Sequence, residues 1–552
     1  MKKTLFVLFA LMMCAHFTKA QTPHIEMSEP FDEPEEGNWN KLLQLKNGNT
    51  FYFHFTKKDG IEVTVYDKNR KQIASNTLTS NLWEPGKMKE SKIEGLYEIN
   101  GEPVIFLHQL LNRTPTLFRL RLNPDNGKLV EEKLMGTIQR YGAFAGYAMA
   151  LGHVSESDFF IEKDPRTDCY GVVYFNGFAH ESGERIKVEH YNGEHKLINS
   201  AYYDAPDGQY KYLRFIAMTV EGDRNIFLAV YGFNTQASGG DDSRVIISKL
   251  SADVNVFKQK ILDNTEDFKN TTATMTYNPG RQVLQLLTLT YLTTKSKFFS
   301  HKSTSTFLPL ITDIDPMTLS VTSSQPLAGE KVSEYMKANL DQDDGFNGIP
   351  QTMVINKDNT TTILSEESET KTIVDSRTGT IMSEKTLLSN IGISELDANE
   401  KELYGYGILK SQQANGYIPN LYLSEKDNGY WYYQRTPAMQ LNNNPFLSFD
   451  YVNTNSNRYI IFNDYPDNFD KDEKKKRKTV TTISDANTIY YVLNNGQMTK
   501  HYLFGEPESD RKSKFSYIAS SDYLQNTNTY ATIIVERDGR DKQARIAWVK
   551  FD

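Results

Sequence analysis

Four consecutive aromatic residues, Tyr430, Trp431, Tyr432 and Tyr433, are the stretch of this 552-residue chain best suited to hold a ligand. In an extended segment Trp431 and Tyr433 face one side, Tyr430 and Tyr432 the other. One pair is expected in the core. The other offers flat faces on which a sugar ring or a peptide can stack. Other residues with chemical potential form weaker patterns. His190 and His195 flank the Asn192-Gly193 turn and could meet across a hairpin, but a metal site needs two more ligands. Asp341, Asp343, Asp344 and Gly345 suggest a calcium loop. An EF-hand would need an acid where Gly345 stands and a glutamate where Thr352 stands, so an acidic surface loop is expected. Ser509 and Lys512 satisfy S-x-x-K within the polar run EPESDRKSK, which lacks the apolar helix that would lower a lysine pKa. Cys169 has no histidine-bearing motif around it and reads as a buried, inert thiol. His54, His108, His153, His180, His301 and His501 are scattered. The chain has 70 acidic residues, so two carboxylates can converge in space, but spacing does not choose a pair. H-E-x-x-H, G-x-S-x-G, a Walker loop and Cys-x-x-Cys are absent from the sequence. No catalytic residue, metal ligand or cofactor is therefore assigned.

The segments that must position these residues alternate polar and apolar side chains at period two. NTFYFHFT, IEVTVYD, TLFRLRLN, NIFLAVYG, RVIISKLS, TIYYVLNN, YATIIVER and ARIAWVKF are examples. With 32 tyrosines and 30 phenylalanines, they read as β-strands. Turn pairs such as Asn47-Gly48, Asp59-Gly60, Asn100-Gly101, Asn126-Gly127, Asn428-Gly429 and Asp538-Gly539 separate them and suit antiparallel hairpins. Helical signal is confined to short stretches such as KVSEYMKANL at 331–340.

A weak repeat runs through the strands: one ends at Asp or Asn, a turn follows, and a second strand closes on Leu. Its anchors are Asp67, Asn123, Asn192, Asp253, Asp315, Asp375, Asp427, Asn494 and Asp552, spaced 52 to 69 residues apart. A repeat near 60 residues with four strands each predicts an all-β fold, a β-propeller of seven or eight blades. One anchor is surplus, and the shortest gap points to Asp375 or Asp427. The last unit, ARIAWVKFD, is one strand short. The N-terminal HIEMSEPF can supply that strand and close the ring. A membrane barrel fits less well, because several strands carry charges on both faces. Two stacked sandwiches are the rival architecture.

The N-terminus carries Lys2-Lys3, an apolar run from Leu5 to Met13, and the small-residue site Thr18-Lys19-Ala20. Residues 1–20 are read as a secretory signal peptide and 21–552 as one propeller domain, exported to the periplasm or cell surface. Lipidation at Cys14 is disfavoured, because Met13 stands where a small residue is usual. Removing residues 1–20 takes away three lysines and no acid, moving the formal charge from −8 to −11. An acidic surface excludes general nucleic-acid binding. No later stretch has 18 consecutive apolar residues, so no membrane insertion is expected.

The run KKKRK sits in IIFNDYPDNFDKDEKKKRKTVTTI, residues 460–483. From Asp464 to Lys478 six bases face five acids, so the local charge is only +1. The run reads as a solvated hairpin loop, in which serines for Lys474–Lys478 would leave folding intact. SEKDNGYWYYQR, with Ser424, Asp427, Gly429 and Trp431, resembles the Asp-box turn of sialidase-type propellers, displaced by one residue on each side of Asp-x-Gly. The signal peptide, the repeated units and YIIFNDYPDNFDKDEKKKRK together resemble exported, propeller-like proteins of the Bacteroidota, most specifically at Phe462-Asn463-Asp464. That resemblance implies architecture and export, and no activity. The expected role is a binding or scaffold module for a protein, peptide or glycan partner. The alternative is a carbohydrate-active hydrolase or lyase on the same scaffold.

Overall fold

Alternation along each strand sends successive side chains to opposite faces, and here both faces are buried. In the first hairpin Phe51, Phe53 and Phe55 turn one way and pack with Ile93, Ile105 and Leu107 of the next sheet. Tyr52, between them, turns the other way, toward Tyr517 and Trp548 of the last sheet. A sheet with two apolar faces needs a neighbour on each side, and a ring of sheets satisfies every one.

The chain is seen in a computed structural model that describes residues 23–552 apart from 36–37, 144–156, 180, 235–242, 264–270, 293–305, 375–376, 378–380, 417, 419–420, 433–443, 472–474, 495–496 and 510. It forms an eight-bladed β-propeller. Blades 1 to 8 begin with Trp39–Gln44, Ser91–Ile99, Asp158–Lys163, Tyr212–Glu221, Thr272–Asn278, Ile349–Ile355, Asp450–Asn453 and Lys512–Ser516, the strands that ring the central channel. Each blade is an antiparallel sheet of four strands, in sequence order in blades 1 to 7, with short additions in three of the eight. Each junction between blades holds its own apolar cluster.

Blade 8 takes its outer strand from the N-terminus, as expected. His24–Met27 pairs antiparallel with Ala547–Lys550. Ser28 N–H then donates to the Ile546 carbonyl (2.9 Å), and Phe31 exchanges two hydrogen bonds with Ala544 (both 2.8 Å).

Two anchors of the repeat are corrected, and a third turn replaces them. The turn before the outer strand of blade 6 lies at Asp397–Lys401, closed by Asp397 N–H to the Lys401 carbonyl (2.9 Å). Asp375 lies outside the described residues, between the two middle strands of blade 6, Thr361–Val374 and Ile381–Leu396. Asp427 ends a short helix, Tyr422–Asp427. The repeat was obscured because blade 6 carries a longer hairpin and a long connection to blade 7. The 331–340 helix is present as Glu330–Leu340, with Val332, Met336 and Leu340 buried against blade 6.

The basic run is also corrected. Arg477 is buried, 6% exposed, and its Nη1 donates to the carbonyls of Asn468 (3.0 Å) and Lys471 (3.2 Å). The Asn468 amide holds Lys478 by its carbonyl (2.8 Å) and its N–H (2.7 Å). Arg477 thus pins the loop from inside, and a serine there strands two carbonyls. Net charge does not reveal one member of a basic run that folds inward.

Deleting residues 23–31 should cost on the order of 3 kcal/mol or more, at about 1 kcal/mol per lost hydrogen bond. Calorimetry checks this; an unchanged melting midpoint would show that the ring closes without its N-terminal strand.

Candidate functional site

The connection from blade 6 to blade 7 does not stay at the rim. After Glu402–Ile408 the chain pairs briefly with its own blade at Gln412–Asn415, then turns into the helix Tyr422–Asp427. It then pairs Trp431 and Tyr432 with Ile93 and Lys92 of blade 2, the blade opposite blade 6 in the ring. The segment therefore crosses the channel. Ser424 Oγ reaches Thr352 Oγ1 of blade 6 (3.1 Å). Lys426 Nζ donates to Ser521 Oγ of blade 8 (3.0 Å) and pairs with Asp450 of blade 7. Asn428 Nδ2 donates to Glu162 of blade 3 (3.1 Å), and its carbonyl accepts from the Leu96 N–H of blade 2 (3.1 Å). Gly429 is required here: its φ is +67°, and a Cβ would stand 2.8 Å from Leu96 Cβ.

Of the four aromatic candidates, the structure makes Trp431 a core residue. It is 2% exposed and stacks on Trp39, with ring centroids 5.7 Å apart and planes 6° apart, and on Phe55 at 6.1 Å. Its bulk is buried between blades 1 and 2, so it is closed to a ligand. Tyr430 is half-buried, the Tyr432 backbone pairs with Lys92, and Tyr433 lies outside the described residues. The Asp-box resemblance is overturned at the same place, since Ser424 to Asp427 are helical and form no hairpin turn.

The crossing segment is anchored in charge. Lys41 Nζ donates to the Ser521 carbonyl (2.7 Å), and Gln44 N–H donates to Asp522 Oδ2 (2.8 Å). Tyr530 OH donates to Asp450 Oδ2 (2.7 Å). Burial lowers the Lys41 pKa against the pull of Asp522 and Asp427. Burial also raises Asp522, against the pull of Lys41. Burial pushes Glu162 up to about 8, against the hydrogen bond it accepts from the Asn428 amide.

A second cluster sits where the innermost strands of blades 2 and 3 begin. His108 Nδ1 lies 2.8 Å from Glu94 Oε1 and 3.3 Å from Asp158 Oδ1. Lys92 Nζ donates to Asp158 Oδ2 (2.7 Å). Register explains the meeting, because Lys92 is directly opposite His108 in the blade 2 ladder. Phe159 meets the imidazole edge-on, centroids 4.9 Å apart. Burial and the Asp158 charge push Glu94 up to about 7. Burial opposes the charge on Asp158, but Lys92 and His108 outweigh it and hold its pKa low. Burial likewise opposes the His108 cation, and hydrogen bonds to Asp158 and Glu94 raise its pKa nonetheless. This is the set of described residues whose donor atoms converge as metal ligands would. Sequence reading missed it. The available signal was His108 within the apolar strand PVIFLHQLL, where a buried imidazole must find a partner.

The remaining candidates among the described residues do not converge; His153, His180 and His301 lie outside them. His190 Nε2 contacts the Gly222 carbonyl (2.8 Å), while His195 contacts Tyr170 OH (3.2 Å). Asp341, Asp343 and Asp344 are exposed, as an acidic surface loop should be. Lys512 pairs with Glu508 (2.8 Å), and Ser509 is exposed. Cys169 is buried, and burial raises its pKa, which suits an inert thiol.

No protein-family model matches the sequence, and no curated protein matches it. Among solved structures, the chain is similar to the polysaccharide lyase Uly1, at 10% identity and a TM-score of 0.37, over 83% of this chain and 90% of that one. It is similar to a Bacteroides caccae protein of unknown function, at 10% identity and a TM-score of 0.25, over 56% of this chain and 94% of that one. It is also similar to prolyl oligopeptidase B from Galerina marginata, at 6% identity and a TM-score of 0.38, over 94% of this chain and 56% of that one. Likeness at this level says nothing about activity, and the fold rests on the blades themselves.

Two measurements test this account. Trp431→Ala should destabilise the protein by about 3–5 kcal/mol, as large-to-small core changes do; a denaturant midpoint within error of wild type would put Trp431 outside the core. Glu162 has a folded pKa of about 8 against an ordinary 4.5, so the folded state holds the proton more tightly. Its contribution to stability is present below pH 4.5 and is lost as pH rises through 8. Glu162→Gln should flatten the fall in stability between pH 4.5 and 8; an unaltered profile would show that Glu162 is ionised in the fold.

Proposed function

We propose that this protein is an exported binding module that holds a glycan, peptide or protein partner on the face of its ring, in the periplasm or at the cell surface. The observation that carries this reading is the crossing segment. The channel, where a propeller can gather groups from several blades around a small substrate, is occupied by Tyr422–Tyr432 and tied to blades on both sides. A partner must then engage the rim or the faces. A cavity of about 380 Å³ opens on one face, between the turns of blades 6 and 7. Tyr404, Arg458, Asn453, Asn455, Asn457 and Asn494 are among its lining residues. Tyr404 is 57% exposed, and Arg458 is held by Glu395. An exposed ring beside amides and a fixed guanidinium is suited to a hydroxyl-rich ligand. Export is supported by Lys2-Lys3, the Leu5–Met13 apolar run and Thr18-Lys19-Ala20.

A hydrolase or lyase on this scaffold is favoured by one observation, the approach of the Glu94 and Asp158 carboxyls to the same imidazole. Two carboxyls about 5 Å apart suit a retaining glycosidase. Against it, the Glu94 side chain is only 2% exposed, so a sugar has no path to it.

Glycan and peptide arrays, followed by calorimetry on any hit, decide between the readings. Binding without turnover is expected, with Tyr404→Ala and Arg458→Ala each weakening it about 10-fold, or roughly 1.4 kcal/mol. Turnover of a glycan that is lost in Glu94→Gln would replace the binding reading with the enzyme.

A further inference from the structure

We propose that Glu94, His108 and Asp158 form a binding site for a divalent transition-metal ion of the zinc type. The inference is independent of the binding role above. It stands on geometry, donor chemistry and burial at the junction of blades 2 and 3.

Geometry comes first. An ion about 2.0–2.2 Å from each ligand atom needs those atoms near van der Waals contact with one another. His108 Nδ1 lies 2.8 Å from Glu94 Oε1 and 3.3 Å from Asp158 Oδ1, and the three ligand atoms all fall within 4.8 Å of one another. A hydrogen-bond account satisfies this arrangement only in part. A single Nδ1–H faces two carboxyl oxygens, while Lys92 donates to Asp158 Oδ2. A doubly charged ion at that point serves both carboxylates and the imidazole lone pair at once.

The donor set narrows the ion. Two carboxylate oxygens and one imidazole nitrogen suit zinc or manganese; an imidazole is not a ligand that calcium or magnesium prefers. The supporting groups match. Lys92 Nζ holds Asp158 Oδ2 at 2.7 Å, which leaves Oδ1 turned toward His108, and Phe159 fixes the ring edge-on. Exposure gives the site a direction. The side chains of Glu94 and His108 are 2% and 6% exposed, those of Lys92 and Asp158 17% and 18%. Solvent therefore reaches the cluster from the Asp158 side, where a water completes the coordination. The metal and the imidazole proton compete for Nδ1, so affinity rises with pH.

The test uses the full chain after chelator treatment and dialysis. Zn²⁺ titrated at pH 8 in competition with a chromophoric chelator should bind at one equivalent, and Co²⁺ should give a visible d–d spectrum. Affinity should fall from pH 8 to pH 6. His108→Gln and Asp158→Asn should each weaken Zn²⁺ by more than the about 10- to 100-fold that a lost outer-sphere partner costs. Glu94→Gln, which keeps shape, guards against misfolding and should do the same with the melting curve retained. Failure of wild type to take up Zn²⁺ or Co²⁺ would overturn the site, as would binding that survives the Glu94→Gln and His108→Gln double variant. Neither result bears on glycan or peptide binding at blades 6 and 7.

Discussion

Two-sided burial is the constraint on which this molecule depends. Each blade has apolar residues on both faces, so none is stable as an edge. The ring must close, and it closes through the pairing of His24–Met27 with Ala547–Lys550. That pairing joins the two ends of a chain more than 500 residues long. Contacts of such sequence separation form at high entropic cost, and here they complete two junctions at once. The clusters on either side of blade 8 contain Val549 toward blade 7 and Trp548 toward blade 1, adjacent residues facing opposite ways.

A closed eight-blade ring leaves a wide centre, and this chain fills its own. The filling is polar. Lys41, Lys426, Asp450 and Asp522 come from blades 1, 7 and 8 and the crossing segment; Lys426 pairs with Asp450, and the charge of Asp522 pulls on Lys41. Buried charge of this kind adds little net stability compared with an apolar plug. It does specify geometry, since Lys426 meets Asp450 and Ser521 only when the helix is seated at one depth. Aromatic stacking of Trp431 on Trp39 and Phe55 supplies the hydrophobic part of the anchorage.

The two polar features lie on different parts of the ring. The Glu94–His108–Asp158 cluster is built at the starts of inner strands, and the groove of Tyr404 and Arg458 is built from turns at their far ends. In both, strand register within a blade and packing between blades place the groups, and no local motif does.

Much of the fold was legible in the sequence. Period-two alternation gave the strands, the turn residues gave hairpins, and the missing last strand gave the closure. The blade count was blurred because Asp375 and Asp427 mimic the anchor that Asp397 provides. Local residues decide whether a turn forms, but only the ladder decides which strands it joins. The candidate site was not legible. Which of the aromatic pairs enters the core stayed open, because an aromatic run looks the same whether it meets solvent or a facing tryptophan. Arg477 read as solvated because charge counts carry no direction. His108, Glu94 and Asp158 stand up to 64 residues apart and come together only across a blade junction. The sequence by itself determined an all-β ring, since periodicity and turn chemistry act between near neighbours. Tertiary structure alone decided what fills the channel and which polar groups converge, since those depend on register and on contacts between blades far apart in the chain.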